Sequence, residues 1–241
     1  ISIFEWIMKN KKIIVKDIGI TSFSDAWKFQ EDIFQKIIDQ KVKNRTLVKK
    51  IKTDNYLIFT EHNPVYTIGK SGDMSNLLLD STQLKKKGIE FFKINRVGDI
   101  TYHGPGQIMG YPILDLDNFF TDINLYLRSL ENTIIETLKF YDIKGFTIKG
   151  ETGVWVENLN KYKKICAFGI RASRWVTMHG FCLNVDSNLD QFKYIIPCGI
   201  KDKGVTSISE LLNEEIDIKK LKKCLMKNFA KHFKAKIFYE N

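Results

Sequence analysis

The segment RVGDITYHGPGQIMGYPILDL, residues 96–116, sets glycine at 98, 104, 106 and 110 and proline at 105 and 112 among apolar side chains. Such a run must turn tightly where ordinary side chains would collide. Glycine supplies the backbone angles and the close approach, and proline stiffens the result. DITYHGPGQ is therefore either a structural turn between two strands or the lining of a pocket. A phosphate-cradling loop would need another spacing and a following Lys-Ser/Thr, which are absent. If the loop lines a pocket, His103 donates a hydrogen bond or closes one wall without having to be the chemical base. The second half, IMGYPILDL, reads as an outer strand, since Pro112 cannot donate to a central ladder.

Around this segment the chain reads as strands enclosed by helices. IIVKD at 12–16 is a short strand. The stretch SFSDAWKFQEDIFQKIIDQK carries apolar residues at 26, 27, 33, 34, 37 and 38, a helix with Ser24 as its cap. YLIFTEH at 56–62 is a strand, EHNPVYTIG turns before residue 70, and 70–90 is a polar surface loop with a short helix. FFKIN at 91–95 is a strand. DINLYLRSLENTIIETLKFYDI is helical through 127, 130, 134 and 138. From 147 to 186 TGVWVE, KICAFGIR and HGFCLNV predict an antiparallel or mixed sheet. Residues 189–196 pass through a helical turn, SISE at 207–210 resembles a capping box, and a basic helix runs from 217 to 234. These expectations describe one α/β (α+β-like) domain over 1–241, a mixed β-sheet flanked by helices, with 211–241 as a C-terminal basic helical part. Met8 followed by KNKKIIV reads as an ordinary start, which would make residues 1–7 an extension.

Composition narrows the functional classes. No apolar run approaches the length of a membrane span, and the first ten residues lack a basic leader, so a membrane protein or a secretory peptide is not expected. The four cysteines, at 166, 182, 198 and 224, form no CxxC pair, which fits a reduced cytoplasmic setting. Even 16-residue gaps between the first three, with His179 nearby, invite a metal reading, but zinc sites use closer ligand pairs and no metal is expected. The net charge of +10 is first a solvated lysine surface. It also attracts acidic partners, either nucleic acid, for which no motif appears, or an acidic protein.

Two residues carry candidate chemistry. In KYKKICAFGIR, strand alternation puts Lys164, Cys166 and Phe168 on one face and Ile165, Ala167 and Gly169 on the other. Lys164 is either an exposed edge charge or a lysine reaching into a cleft, where partial burial would let it move protons near neutrality. Cys166 and Cys182 sit inside strands, poor positions for attack. On YIIPCGI alone, Cys198 is by default a small buried residue. Pro197 and Gly199 also permit a thiol exposed at a turn with backbone N–H groups close by, the two needs of acyl transfer.

At these residues the chain resembles the octanoyltransferases of lipoate biosynthesis, also called lipoyl(octanoyl) transferases or lipoate–protein ligase B. The motifs are RVGDITYHGPGQIMGYPILDL, GVWVENLNKYKKICAFGIR, WVTMHGFCLNV, and FKYIIPCGI followed by VTSI, in the family's order, with likeness strongest over 57–210. The resemblance implies the ligase-like fold shared by biotin and lipoate protein ligases. It places the catalytic cysteine on Cys198 and the catalytic lysine on Lys164. It assigns Arg96, Tyr102, His103, Gly104, Gly106, Gly169, His179 and Gly180 to the substrate pocket. It implies an octanoyl group moved from octanoyl-acyl carrier protein to a lysine of lipoyl domains, those of 2-oxoacid dehydrogenases and the glycine-cleavage H protein, with no cofactor. The family's Arg-Gly-Gly is here Arg96-Val97-Gly98, which puts substrate detail rather than reaction class in question. The alternatives are an ATP-dependent lipoate or biotin ligase, which needs no cysteine nucleophile, and a non-catalytic protein that binds carrier domains.

Overall fold

The computed structural model describes residues 9–196 and 203–239. Its backbone is a large mixed sheet of nine strands among the described residues, with a three-stranded sheet beside it. Strands β1 (Lys12–Thr21), β2 (Tyr56–His62) and β6 (Gln107–Ile113) lead to the centre. Strands β10 (Val176–Asn184), β9 (Lys161–Ser173), β8 (Glu151–Asn158) and β7 (Gly145–Ile148) complete that side, in the order β1-β2-β6-β10-β9-β8-β7. The short β11 (Gly204–Val205) runs parallel to β9, and β12 (Lys236–Tyr239) runs parallel to β1 at the other edge. The smaller sheet sets β3 (Val65–Ile68) between β4 (Glu90–Lys93) and β5 (Ile100–His103).

Helices cover both faces of the large sheet. Helix α1 (Phe23–Lys43) lays Phe34, Ile37 and Ile38 against Ile58, Met109, Ile113 and Met178. Its cap is Ser22, not Ser24: the Ser22 hydroxyl accepts from the Asp25 amide at 3.1 Å. A short helix, α2 (Ser81–Lys87), interrupts the polar stretch after β3. On the opposite face, α3 (Ile123–Lys139) and α5 (Ile218–Phe233) bury Tyr126, Leu130, Ile134, Leu138, Leu225, Phe229 and Phe233 in one core with Val154, Ile165, Phe181 and Leu183. The basic C-terminal helix thus closes the main core. In α4 (Ile208–Leu212), Ser207 caps the Glu210 amide, but the Glu210 carboxylate turns to Thr206 and Lys163 rather than completing a capping box.

Two expectations are overturned. Residues 65–68 form β3 rather than a turn, because β4 and β5 satisfy their backbone on both sides. IMGYPI is not an outer strand but lies centrally, between β2 and β10. Pro112 is tolerated because the β6–β10 ladder ends at Gly110–Phe181. Beyond it the proline ring lies against Gly180, where an added Cβ would fall 2.5 Å from Pro112 Cδ. A missing side chain on β10 thus admits a residue that cannot donate.

Candidate active site

Where the two sheets meet, the segment Ile94–His103 faces β6, β9 and β10 across a cavity of about 710 Å3. Apolar walls come from Ile94, Ile100, Met109, Phe168 and Phe181, and from Ile123 and Leu127 of α3. Polar groups gather at two places: Arg96, His103 and His179 at one, Lys164 with Trp155 and Lys203 at the other.

Arg96 is held as a fixed cation. It is almost wholly buried, and Nη2 donates to the Thr67 carbonyl at 2.9 Å and the Thr67 hydroxyl at 3.0 Å, while Nη1 donates to the Val97 carbonyl at 3.2 Å. Gly169 makes this possible, since an added Cβ there would fall 2.5 Å from Arg96 Cδ. Thr67 Oγ1 lies 3.3 Å from His103 Nε2. With Arg96 already donating to Thr67, the hydroxyl hydrogen is available to Nε2, an arrangement that leaves the proton of a neutral His103 on Nδ1. That atom is buried and has no partner among the described residues. Burial, then His62 and Arg96, holds His103 well below the usual imidazole range. His179 donates from Nε2 to Asn95 Oδ1 at 3.3 Å, and its backbone N–H meets Gln30 Oε1 at 3.2 Å. Burial, followed by Arg96 and Arg171, lowers it to about 3. Both rings are therefore neutral near pH 7.

Lys164 sits differently from the alternation expected of β9. Val154 pairs with Cys166 but Trp155 with Lys164, so β9 carries one extra residue, a bulge at Ile165. Ile165 and Cys166 consequently both enter the core, and Lys164 shares the cavity with Ala167 and Gly169 instead of a face with Cys166. Its ammonium lies 4.6 Å from the centroid of Trp155. The lysine stem runs over Gly153, whose φ of +141° suits only glycine and whose added Cβ would stand 3.0 Å from Lys164 Cε. The Gly153 N–H donates at 3.3 Å to Glu131, a buried carboxyl on α3. Val205 of β11 pairs with Lys164 on its other side.

Of the residues singled out from the sequence, Arg96, His103, Lys164, Gly169, His179 and Gly180 line this one cavity. Tyr102, Gly104 and Gly106 stand behind it. Tyr102 is buried among Tyr66 and Phe192, Gly104 leaves room for the Tyr102 ring, and Gly106, with φ +82°, abuts the Asp186 carbonyl. They shape the loop that carries His103. Cys198 lies outside the described residues; Phe192 before it and Lys203, Gly204 and Val205 after it line the cavity. Cys166 and Cys182 are buried, and burial pushes both thiols up, so neither is an available thiolate near neutrality. Val97 lacks a positive φ and its side chain is 66% exposed, so a side chain costs the backbone nothing there.

Sequence reading missed Trp155, Thr67 and Lys203. The pairing of Trp155 is fixed by Leu159 and Asn160, which, both at positive φ, form a two-residue turn between β8 and β9. Counting back from such a turn sets Trp155 opposite Lys164.

Comparison with known proteins accords with this geometry. The model of the lipoyl protein ligase A/B catalytic domain matches residues 23–230. An octanoyltransferase of Christiangramia forsetii is 53% identical over 233 residues, 96% of this chain and 100% of that protein. One of Flavobacterium johnsoniae is 54% identical over 230 residues, 95% and 99% of the two chains. Among solved structures, a bi-partite lipoate protein ligase of Thermoplasma acidophilum superposes with a TM-score of 0.66 at 15% identity, covering 97% of this chain and 87% of the other, a likeness of fold alone. The chain belongs to the lipoyl protein ligase A/B catalytic domain family and, within it, to the octanoyltransferases.

Proposed function

We propose that the protein moves an octanoyl group from octanoyl-acyl carrier protein, through a thioester on Cys198, to a specific lysine of a lipoyl domain in the cytoplasm. The observation that carries this reading is Lys164 standing in the same cavity of about 710 Å3 as Arg96 and His103, between apolar walls. In the first half-reaction Lys164 takes the Cys198 proton, the thiolate attacks the donor carbonyl, the carbon–sulfur bond to the carrier breaks, and the carrier thiolate leaves and takes that proton from Lys164. In the second, the neutral amine of the acceptor lysine attacks the acyl-enzyme. The Cys198 thiolate departs, and the proton lost by the amine passes to Lys164. The Nδ1–H of His103, without a partner among the described residues, and backbone N–H groups are candidate donors to the developing oxyanion. Thioester to thioester is nearly isoenergetic and thioester to amide is downhill, so the scheme calls for no ATP and no metal.

Each methylene buried along the walls contributes about 0.8 kcal/mol, so chain length is read by slot depth. The charge of +10 suits encounter with acidic carrier and lipoyl domains. The test is transfer to a lipoyl domain from octanoyl carrier protein, compared with octanoate plus ATP. Modification with the first donor only is expected. Modification with the second only would make the protein a ligase.

A further inference from the structure

The buried face of helix α1 carries Phe23, Ala26, Phe34, Ile37 and Ile38, and with them one amide, Gln30, only 1% exposed. An amide in such a stripe is costly unless it is bonded, and half of this one is not. Its Nε2 is buried without a partner among the described residues. Its Oε1 accepts the backbone N–H of His179 at 3.2 Å. An apolar side chain of the same length would suit the stripe better. What the amide supplies is therefore that acceptor.

The place of His179 explains why an acceptor is needed. The β6–β10 ladder ends at Gly110–Phe181, and bonding on that side resumes at Thr177, whose N–H meets the Leu114 carbonyl at 2.9 Å. His179 lies in the gap between them, at φ +59°, a left-handed conformation that a non-glycine residue keeps only where its surroundings impose it. Its ring reaches Asn95 Oδ1 at 3.3 Å. Ile170, its partner on β9, accepts the Val97 N–H at 3.0 Å. The residues on both sides of Arg96 are thus tied to the His179–Ile170 pair. The next pair of the same ladder, Met178 with Arg171, is gripped by the next residue of α1, since Glu31 binds Arg171 at 2.7 Å.

We infer that Gln30 is a positioning residue for the substrate cavity: its amide oxygen holds His179 in the left-handed conformation that sets the ring on Asn95 and so steadies the Asn95–Val97 wall around Arg96. Gln30 stands behind that wall and acts through His179. The kinetic consequence rests on the acyl-transfer reading, in which this cavity takes the acyl group. The conformational consequence does not.

Three variants separate positioning from bulk stability. Gln30→Met keeps the length and suits the apolar stripe but removes the acceptor. Gln30→Ala removes the acceptor and adds nothing. Gln30→Glu keeps an acceptor oxygen. In protein carrying isotope-labelled histidine, a long-range proton–nitrogen spectrum reports the tautomer of each of the four imidazoles, with His179 assigned by its loss in His179→Asn. At about pH 8, above the usual imidazole range, wild type should show His179 with its proton on Nε2, as the bond to Asn95 requires. In Gln30→Met and Gln30→Ala the His179 signals should shift and mix tautomers, while those of His232 on α5 stay in place. Gln30→Glu should restore the wild-type tautomer. A loosened wall loses binding shared by ground and transition states, so KM for octanoyl-acyl carrier protein should rise about tenfold in the first two variants, with kcat changed little. His179 signals that stay put in both Gln30→Met and Gln30→Ala overturn the inference, as does a Gln30→Glu protein that fails to restore them. Should the signals move as stated while KM and kcat keep their wild-type values, the positioning of His179 stands and the acyl-transfer reading of this cavity falls.

Discussion

Acidification should unfold this protein through His179, and the effect can be sized. The ring is almost wholly buried, lies beside Arg96 and Arg171, and stays neutral down to about pH 3. In the unfolded chain it takes a proton near its ordinary value of about 6.5. Between those two values the unfolded state binds the extra proton, so stability falls as pH falls. The slope is about 1.4 kcal/mol per pH unit for one such group. From pH 6.5 to 4 the loss is about 3 kcal/mol, a large share of the stability of an ordinary domain. His103, depressed by burial in the same cavity, adds a loss of the same sign.

The cleanest perturbation is His179→Asn. The φ of His179 is +59°, a region asparagine enters readily, and asparagine does not titrate. The variant should lose some stability at pH 7.5 with the bond to Asn95. Between pH 6.5 and 4.5 its stability should decline less steeply than that of wild type, by about one proton's slope. Urea unfolding followed by far-ultraviolet circular dichroism at half-unit steps gives both slopes. Identical slopes would show that His179 titrates normally in the folded protein, and the account of a neutral, desolvated pocket wall would fail.

Three other expectations follow from the same geometry. Lys164→Ala should slow both half-reactions, by about 100-fold or more if it transfers protons, while a change confined to carrier binding would end that role. In Gly169→Ala the new methyl would meet Arg96 Cδ at 2.5 Å, so a stability loss of about 1–3 kcal/mol with a raised KM is expected in urea melts and transfer kinetics. Wild-type behaviour would show that Arg96 is not pinned. Cys166→Ala removes a wholly buried core atom and should cost about 1 kcal/mol of stability, with little change in transfer rate; Cys182→Ala should behave likewise.

Much of the strand-rich centre is legible from local pattern. YLIFTEH at 56–62 is β2 to the residue, and TGVWVE, KICAFGIR and HGFCLNV fall on β8, β9 and β10. What escapes local reading is set across the chain. β12 joins β1 over more than 200 residues of separation. The central place of Pro112 depends on Gly180, whose missing Cβ cannot be connected to a proline in another motif until the strands are paired. β3 is only four residues long and is a strand because β4 and β5 flank it.

The site divides in the same way. Arg96, His103, Lys164, Gly169, His179 and Gly180 were visible as motif residues and converge on one cavity. The bulge at Ile165, which moves Cys166 into the core and leaves Lys164 in the cavity, reverses a plain period-two reading. Lys203 carried no signal, because a lysine before a two-residue strand looks like solvated surface until its reach to Trp155 and Glu151 is seen. No helix of the described residues is long and apolar enough to cross a membrane.

The central claim is that the acyl group rests on Cys198 on its way to the acceptor. Intact-protein mass spectrometry after mixing with octanoyl-acyl carrier protein, with no lipoyl domain present, tests it directly. The account predicts one added octanoyl group that is removed by hydroxylamine, is discharged when a lipoyl domain is added, and is absent in Cys198→Ser. An adduct that persists in Cys198→Ser, or transfer that proceeds without it, would contradict the account.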